Sequence, residues 1–355
     1  MKDKDYMDRA FSLAKKGQNA TGSNPLVGAV LVRNNKIIGE GYHESFGGPH
    51  AEVNAITNAE SKGCKVSGST LYVTLEPCSH KDKKTPPCTD LLIKKKIKQV
   101  IFGSLDPNPK VNGNSIQILK KNKIRTKYLD NELKNFKINR GFKKLITSKI
   151  PFVTLKICMS LDGMIFDLNS KNNSIGDSDQ LRHSNALRKD FESILIGVGT
   201  VLVDDPKLTY RGKQVITQPR PIILDSNLRT PIDSNIVKLR NKPLILTKKE
   251  PKNRKFKLLD SSGCNLVSMK ELTPKKVLRQ IGKANIKKVL IEGGGKVFTS
   301  FLSSNLWDEL VIYYSPKFLG NSGMLLTEQL NKNYLIKDRK CTTKKIGESI
   351  MLVFT

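Results

Sequence analysis

A histidine, two cysteines and a glutamate in the first part of the chain have the types and spacing of a zinc site. They stand in three short segments, Pro49-His50-Ala51-Glu52, Glu76-Pro77-Cys78 and Pro86-Pro87-Cys88. One imidazole and two thiolates leave the fourth tetrahedral position of zinc open to water, whose pKa the metal lowers toward neutrality. Glu52 is the right residue type to carry a proton from that water to a leaving amine. We therefore predict one zinc ion per chain, held by His50, Cys78 and Cys88.

This pattern, H-x-E followed by P-C and a second cysteine, is typical of zinc nucleobase deaminases. Deaminases that act on nucleic acid or free cytidine have two residues between the cysteines, whereas nine separate Cys78 from Cys88 here. Two alternatives stay open on the residues alone. A tRNA- or DNA-editing deaminase would fit the charge of the chain but predicts the shorter spacing. A zinc-stabilised binding protein would keep the metal but would not need Glu52.

The loop between the two cysteines resembles that of the deaminase domain in the RibD family of bacterial riboflavin-biosynthesis enzymes. Three further segments agree with that family: Asn24-Pro25-Leu26-Val27-Gly28, Gly39-Glu40-Gly41-Tyr42-His43 and Asp106-Pro107-Asn108-Pro109. The loop departs from the family in being one residue longer and in containing Lys81-Asp82-Lys83-Lys84. The resemblance implies a cytidine-deaminase-like three-layer domain that deaminates 2,5-diamino-6-(5-phosphoribosylamino)pyrimidin-4-one. It also implies that Asn24, His43, Ser79 and His80 bind this substrate.

The second half of the chain resembles the reductase domain of the same family, whose α/β fold is similar to dihydrofolate reductase. The matching segments are residues 156–163, 196–206, 208–211 and 291–295. Glycines after a strand allow the backbone to approach a pyrophosphate, and a following helix N-terminus supplies N–H donors. The arrangement is not G-x-G-x-x-G, so it does not predict a standard Rossmann site. The resemblance implies that NADPH reduces the ribose of 5-amino-6-(5-phosphoribosylamino)uracil to a ribityl chain.

The resemblance also assigns residues to the reductase site. Those expected to bind NADPH are Cys158, Ser174, Thr200, Asp204, Ser226, Gly294, Gly295, Lys296, Val297, Phe298, Thr299 and Ser300. Those expected to bind the substrate are Asn172, Arg188, Leu208, Arg211 and Glu292. A guanidinium fork matches a phosphate monoester, which makes Arg188 and Arg211 the candidates for the phosphate. Ser174 stands where the family commonly has a tryptophan against the cofactor.

Hydrophobic periodicity predicts the elements that must position these residues. In the first half it predicts helices over 6–16, 50–62 and 90–96 and strands over 27–33, 36–42, 70–75 and 99–103. In the second half it predicts a helix over 179–191 and strands over 152–158, 193–196, 221–224, 243–246, 288–291 and 309–314. Alternating strands and helices favour an α/β fold. We expect a zinc-dependent pyrimidine deaminase domain over 1–149 and an NADPH-dependent reductase domain over 150–355.

Composition sets the wider limits. A chain of 355 residues that is 38% hydrophobic and 26% charged can bury two cores, which excludes wholesale disorder. The formal net charge is +30, but the lysines are dispersed and aromatic residues make up only 6%, so we expect no nucleic-acid partner. No apolar run approaches the roughly 20 residues that span a bilayer, and the N-terminus lacks the apolar stretch of a signal peptide.

These features predict a cytoplasmic chain with no membrane partner. In that compartment the six cysteines are expected to be metal ligands or buried thiols, because disulfides are rare there. The partners we expect are small pyrimidine ribose-phosphate substrates and further copies of the chain, as a homo-oligomer that is a dimer or a tetramer.

Overall fold

The structure is a computed structural model that describes residues 2–80, 86–109, 111–168, 175–212, 217–326 and 336–355. The chain forms two compact units, Met1–Lys149 and Ile150–Thr355, each with hydrophobic cores of its own. Within these described ranges, no helix combines the length and the apolar character needed to cross a membrane.

The first unit is a five-stranded sheet covered by helices on both faces. Its helices are α1 (Asp3–Ala14), α2 (Ala51–Ser61), α3 (Cys88–Lys94), α4 (Asn114–Lys121) and α5 (Glu132–Ser148). Its strands are β1 (Gly28–Arg33), β2 (Lys36–Tyr42), β3 (Thr70–Val73), β4 (Gln99–Phe102) and β5 (Arg125–Tyr128). The strand order is β2-β1-β3-β4-β5, with β1 antiparallel to both neighbours and β3, β4 and β5 parallel. Helices α2, α3 and α4 pack on one face and α1 and α5 on the other, which confirms the predicted three-layer architecture.

Close packing of α2 against β2 brings the predicted metal-binding histidine to the end of the sheet. A Cβ atom on Gly39 would lie 2.2 Å from the carbonyl oxygen of Ala55, and one on Gly41 would lie 2.3 Å from its nitrogen. No side chain fits in that space, so glycine at these two positions of β2 lets the helix lie directly on the strand. The helix begins immediately after His50, which is its N-cap residue.

The second unit contains a nine-stranded sheet and a separate two-stranded sheet. Its strands are β6 (Phe152–Ser160), β7 (Met164–Asp167), β8 (Ser193–Gly197), β9 (Arg220–Leu224), β10 (Leu244–Thr247), β11 (Asn265–Ser268), β12 (Lys288–Ile291), β13 (Glu309–Ser315), β14 (Gly323–Leu325), β15 (Cys341–Ile346) and β16 (Ser349–Phe354). Its helices are α6 (Ser178–Leu187), α7 (Val198–Asp204), α8 (Asn235–Lys238), α9 (Arg254–Ser261), α10 (Pro274–Lys283) and α11 (Gly295–Ser303). The sheet order is β11-β10-β9-β8-β12-β6-β13-β16-β15, and β7 pairs with β14 separately.

The strands from β11 to β13 in this order are parallel, and β16 is antiparallel to both of its neighbours, β13 and β15. Parallel strands end at a common carboxyl edge, where ligands of open α/β sheets bind. The strand predicted over 193–196 extends to Gly197 and is followed directly by α7. The helix predicted over 179–191 ends at Leu187 and continues as a 3₁₀ turn through Asp190.

Candidate active sites

The structure brings the three predicted zinc ligands together in the first unit, and we call His50, Cys78 and Cys88 the metal-binding group. His50 precedes α2, Cys88 is the first residue of α3, and Cys78 lies in the loop that follows β3. The Nδ1 atom of His50 is 3.5 Å from the Sγ of Cys78 and 3.3 Å from the Sγ of Cys88, and all three ligand atoms lie within 4.8 Å of one another.

These distances fit a tetrahedral zinc ion. With zinc–nitrogen bonds of about 2.0–2.1 Å and zinc–sulfur bonds of about 2.3 Å, tetrahedral angles place nitrogen and sulfur about 3.5 Å apart. The donor set of one imidazole and two thiols is also the chemistry that zinc prefers. The backbone N–H of Cys88 also donates to the Sγ of Cys78 at 3.3 Å, which holds the two cysteines side by side.

Glu52 is buried in the first turn of α2, with 3% of its surface exposed. Burial raises the pKa of its carboxyl above the ordinary value, while the nearby His50 acts in the opposite direction. Cys78 and Cys88 also influence this pKa, so the carboxyl lies in the electrostatic field of the metal-binding group. A buried carboxyl with a raised pKa, next to a metal site, is suited to taking up and releasing a proton.

Two of the predicted substrate residues form one hydrogen-bonded pair beside the metal-binding group. The side-chain nitrogen of Asn24 is 3.0 Å from Nε2 of His43, and Nδ1 of His43 is 2.9 Å from the carbonyl oxygen of Pro49. The rings of His43 and His50 meet edge to face, with centroids 5.4 Å apart. His43 is therefore held in one orientation by contacts at both ring nitrogens.

The other predicted substrate residues of this unit, Ser79 and His80, are half-buried directly after the metal ligand Cys78. The Lys81-Asp82-Lys83-Lys84 run, where the sequence departs from the family, lies outside the described residues.

Sequence reasoning assigned no separate role to Glu76, a buried side chain that organises the loops around the metal-binding group. Its carboxylate accepts hydrogen bonds from the backbone N–H groups of Asp106 and Gly113 and from the hydroxyl of Ser115, at 3.3, 3.0 and 2.5 Å. Glu76 stands two residues before Cys78, and its partners come from the loop after β4 and from the start of α4. The only signal in the sequence was its place in the Glu76-Pro77-Cys78 segment.

In the second unit, glycines make a close approach between the ends of β8 and β12. A Cβ atom on Gly293 would lie 3.2 Å from the backbone nitrogen of Gly197. The N–H of Gly294, the N-cap residue of α11, donates to the hydroxyl of Thr200 at 3.2 Å. Backbone without side chains next to a helix N-terminus is the surface that a dinucleotide phosphate needs, so these residues fit NADPH.

Glu292 is the centre of a buried ionic cluster at the carboxyl end of β12. Arg188 forms a two-pronged contact with its carboxylate, at 3.0 Å through Nε and 2.7 Å through Nη2. The Nζ of Lys156 is 3.8 Å from the same carboxylate, whose side chain is only 6% exposed. Burial alone would raise the pKa of Glu292, but Lys156 and Arg188 outweigh it and hold the pKa below its ordinary value. The sequence analysis assigned no role to Lys156, although it opens the segment 156–163.

The segment 208–211 lies beside this cluster, because Nη1 of Arg188 donates to the carbonyl oxygen of Thr209 at 3.1 Å. The side chain of Leu208 belongs to a hydrophobic core, so a substrate would meet its backbone rather than its side chain. The Arg211 side chain is exposed and pairs with no other described residue. Arg211 is thus the more available of the two arginines predicted to bind a phosphate.

The remaining predicted cofactor residues divide into two groups. Cys158 is half-buried in β6, Asp204 ends α7, and Ser226 follows β9, all near the carboxyl edge of the sheet. Within α11, Gly295, Lys296, Val297 and Ser300 are exposed or half-buried. Phe298 and Thr299 are buried, and their role at the cofactor stays a prediction. Phe298 packs in the hydrophobic core, and the hydroxyl of Thr299 donates to the carbonyl oxygen of Gly295.

Helical periodicity explains this inward orientation, because a helix that packs on a sheet must bury one of its faces. Asn172 and Ser174 lie outside the described residues.

Comparison with known families assigns both halves of the chain. Residues 1–104 match the cytidine and deoxycytidylate deaminase zinc-binding region, and residues 151–352 match the RibD C-terminal domain. The riboflavin biosynthesis protein RibD of Aquifex aeolicus is 37% identical over 99% of this chain and 98% of its own length. That of Escherichia coli is 34% identical over 90% of this chain and 89% of its own length.

Solved structures agree with this assignment over the whole chain. RibD of Acinetobacter baumannii has a TM-score of 0.87 at 32% identity, covering 99% of this chain and 98% of its own. A diaminohydroxyphosphoribosylaminopyrimidine deaminase/5-amino-6-(5-phosphoribosylamino)uracil reductase from Thermotoga maritima has a TM-score of 0.85 at 34% identity, with the same coverage. The editing-deaminase alternative is not favoured, because a reductase domain occupies the second half of the chain. From its two domains and its full-length relatives, the chain belongs to the RibD family of bifunctional, zinc- and NADPH-dependent deaminase/reductases of riboflavin biosynthesis.

Proposed function

We propose that the first unit deaminates 2,5-diamino-6-(5-phosphoribosylamino)pyrimidin-4-one at the centre formed by His50, Cys78 and Cys88. The observation that carries this assignment is the convergence of the three ligand atoms within 4.8 Å, beside the buried carboxyl of Glu52. A zinc-stabilised binding protein would have no use for that carboxyl, because burying an ionisable group costs stability.

The residues of this centre divide the work of the reaction. A bound zinc ion supplies a Lewis acid that makes water a nucleophile at neutral pH. Glu52 takes a proton from the attacking water and delivers it to the 2-amino nitrogen, which leaves as ammonia. The water oxygen becomes the new carbonyl oxygen, and its second proton moves to the adjacent ring nitrogen. Asn24 and His43, already hydrogen-bonded to one another, orient the pyrimidine ring, and Ser79 and His80 bind the ribose phosphate.

The second unit, in this proposal, reduces the ribose of the deaminated product, 5-amino-6-(5-phosphoribosylamino)uracil, to a ribityl chain. A bound NADPH supplies the hydride. Gly294 and the first turn of α11 receive its phosphates, with Cys158, Thr200, Asp204 and Ser226 along the same carboxyl edge. The predicted Ser174 contact to the cofactor and Asn172 contact to the substrate belong to the same proposal.

Charged side chains bind the substrate in this site. Glu292, kept ionised by Arg188 and Lys156, offers an acceptor to the substrate hydroxyl groups. The guanidinium of Arg211 binds the substrate phosphate. The guanidinium of Arg188 has five N–H groups, and three of them donate to Glu292 and Thr209. Only the remaining N–H groups of Arg188 can bind the substrate phosphate.

The expected partners are small molecules and further copies of the chain, as a dimer or a tetramer in the cytoplasm. The dispersal of the lysines along the sequence and the aromatic content of only 6% support the absence of a nucleic-acid partner.

The test is to supply each substrate separately to the purified full-length protein loaded with zinc. Ammonia release from the diaminopyrimidine phosphate should require zinc but not NADPH. Oxidation of NADPH should require the deaminated uracil phosphate but not zinc. Ammonia release from a tRNA instead of the pyrimidine phosphate would contradict the proposal.

A further inference from the structure

Two side-chain amides hold the backbone of the segment 208–211 from both sides. The Nδ2 of Asn185 donates to the carbonyl oxygen of Thr209 at 3.0 Å, and its Oδ1 accepts from the N–H of Arg211 at 2.9 Å. On the other side, Oε1 of Gln218 accepts from the N–H of Tyr210 at 2.9 Å, and its Nε2 donates to the carbonyl oxygen of Tyr210 at 3.1 Å. We call this arrangement of Asn185 and Gln218 the amide clamp.

The clamp satisfies the backbone as neighbouring strands would. A carboxamide has one acceptor oxygen and two N–H donors, the same groups that a peptide unit presents to an adjacent strand. On one edge of the segment, the carbonyl of Thr209 and the N–H of Arg211 bond to Asn185. On the other edge, the N–H and the carbonyl of Tyr210 both bond to Gln218. The segment therefore has a fixed backbone although it belongs to no strand.

The backbone just before the clamped residues is in an unfavourable conformation. Leu208 has φ of +52°, in the left-handed region that residues with a side chain rarely adopt, and it is 4% exposed. Such conformations persist where the surrounding structure imposes them, and they concentrate at functional sites. Burial of the Leu208 side chain on one side and the amide clamp on the other supply that constraint.

The clamp also connects the segment to the ionic cluster. The carbonyl oxygen of Thr209 accepts from both Asn185 and Arg188, and Arg188 in turn binds Glu292. Asn185 lies in α6, three residues before Arg188, so one helix end supplies both contacts. As a result, Arg211 has a fixed backbone and an exposed side chain that pairs with no other described residue.

We propose that Asn185 and Gln218 are positioning residues of the reductase, which hold the backbone of Arg211 so that its guanidinium meets the phosphate of the substrate. This inference rests on the proposed function, because it needs Arg211 to bind that phosphate. A preorganised backbone lowers the entropy lost when a long side chain is immobilised on its ligand. Loss of the clamp should therefore weaken substrate binding while leaving the hydride-transfer step nearly unchanged.

The experiment uses the full-length protein with Asn185→Leu and Gln218→Met, which are similar in size and add no charge. For the phosphorylated substrate, Asn185→Leu and Gln218→Met should each raise KM about three- to tenfold, because each removes two neutral hydrogen bonds. The kcat and the KM for NADPH should stay within about twofold of the unchanged protein. With the dephosphorylated substrate, the same variants should show unchanged KM values.

A double variant separates the clamp from the proposed function. Arg211→Ala should raise KM by itself, and adding Asn185→Leu should raise it no further, since the clamp acts through Arg211. If Arg211→Ala raises KM but the clamp variants do not, or if the two effects simply add, the clamp proposal is overturned and the function stands. If Arg211→Ala leaves KM unchanged, the phosphate role of Arg211 and the clamp proposal are both overturned.

Folding is checked within the same molecules. Trp307, the single tryptophan of the sequence, is buried in the core of the second unit, so its emission reports the melting of that unit. A clamp variant that raises KM with an unchanged tryptophan melting temperature supports the proposal. Gln117→Met, a matched substitution at an exposed position of α4 in the other unit, should change neither KM.

Discussion

The metal-binding group of the first unit and the ionic cluster of the second unit are assembled from differently spaced parts of the chain. His50, Cys78 and Cys88 lie within about forty residues, each in a short proline-containing segment. His50 and Cys88 stand at helix starts, and Cys78 lies in the loop after β3. Lys156, by contrast, lies in β6, Arg188 in the 3₁₀ turn after α6, and Glu292 directly after β12.

The two regions also differ in the pKa of a buried carboxyl group. Glu52 is buried with its pKa raised, whereas Glu292 is buried with its pKa lowered. The difference lies in the neighbours, because Glu292 has Lys156 and Arg188 beside it, and these cations outweigh the cost of burial. The raised pKa of Glu52 fits the proton-carrying role proposed for it, and the lowered pKa of Glu292 keeps that carboxyl charged. The comparison teaches that burial alone does not fix the chemical role of a carboxyl.

The largest effect is expected from Cys88→Ser. A hydroxyl is a poor zinc ligand, so the metal content should fall from about one ion per chain to nearly none, and deamination should become undetectable. Elemental analysis and ammonia release measure the two effects. Reduction of the uracil phosphate should continue, since the second unit has its own core. Cys64→Ser, at a half-buried cysteine outside the metal-binding group, is the matched control. Full metal retention in Cys88→Ser would contradict the ligand assignment.

Glu52→Gln should lower the rate of deamination by at least about 10²-fold, because glutamine keeps the size but cannot carry the proton. Zinc content and NADPH oxidation should be unchanged, which distinguishes loss of the proton carrier from loss of the metal. Glu60→Gln provides the control, since Glu60 lies in the same helix and forms only a surface ion pair with Lys95. Deamination near the original rate in Glu52→Gln would exclude Glu52 as the proton carrier.

Glu292→Gln should destabilise the second unit by about 3 kcal/mol at neutral pH, because it leaves buried cations without their counter-charge. The pKa of Glu292 is lowered in the fold, so its stabilising contribution is present above the unfolded pKa of about 4.3. That contribution is lost as the pH falls through the lower, folded value. The difference in Trp307 melting temperature between the original and variant proteins should thus shrink on acidification.

Glu250→Gln, which alters an exposed carboxylate paired with Lys252, controls for general charge effects. A difference between the original protein and Glu292→Gln that grew on acidification would argue against the ionised form of Glu292.

The smallest effect is expected from excess tRNA in the deaminase assay at about 0.15 M salt, where the Debye length is about 8 Å. Dispersed lysines give weak, sequence-independent attraction, so little inhibition of ammonia release should occur. Potent inhibition, or deamination of the RNA itself, would favour the nucleic-acid-editing alternative for the first unit.

The sequence by itself was sufficient for the features that are local. The strands on either side of Asn34 and Asn35 were predicted within a residue of their observed bounds, and both asparagines adopt the left-handed conformation that a two-residue hairpin turn requires. The helix after His50 was predicted as closely, because its apolar residues recur at helical spacing. Motifs of this kind carry their own geometry. The three-layer architecture of the first unit, by contrast, was implied by the resemblance to the RibD family.

Only the tertiary structure decided which distant residues meet. The clamp residues Asn185 and Gln218 are 33 positions apart and form no motif, and Lys156 reaches Glu292 only because β6 and β12 are adjacent in the sheet. The inward orientation of Phe298 likewise depends on which face of α11 packs on the sheet. Local sequence specifies helix starts, turns and metal-ligand spacing through short-range sterics and hydrogen bonds. Sheet order and the faces of packed helices arise from long-range burial, which brings together residues that no short pattern connects.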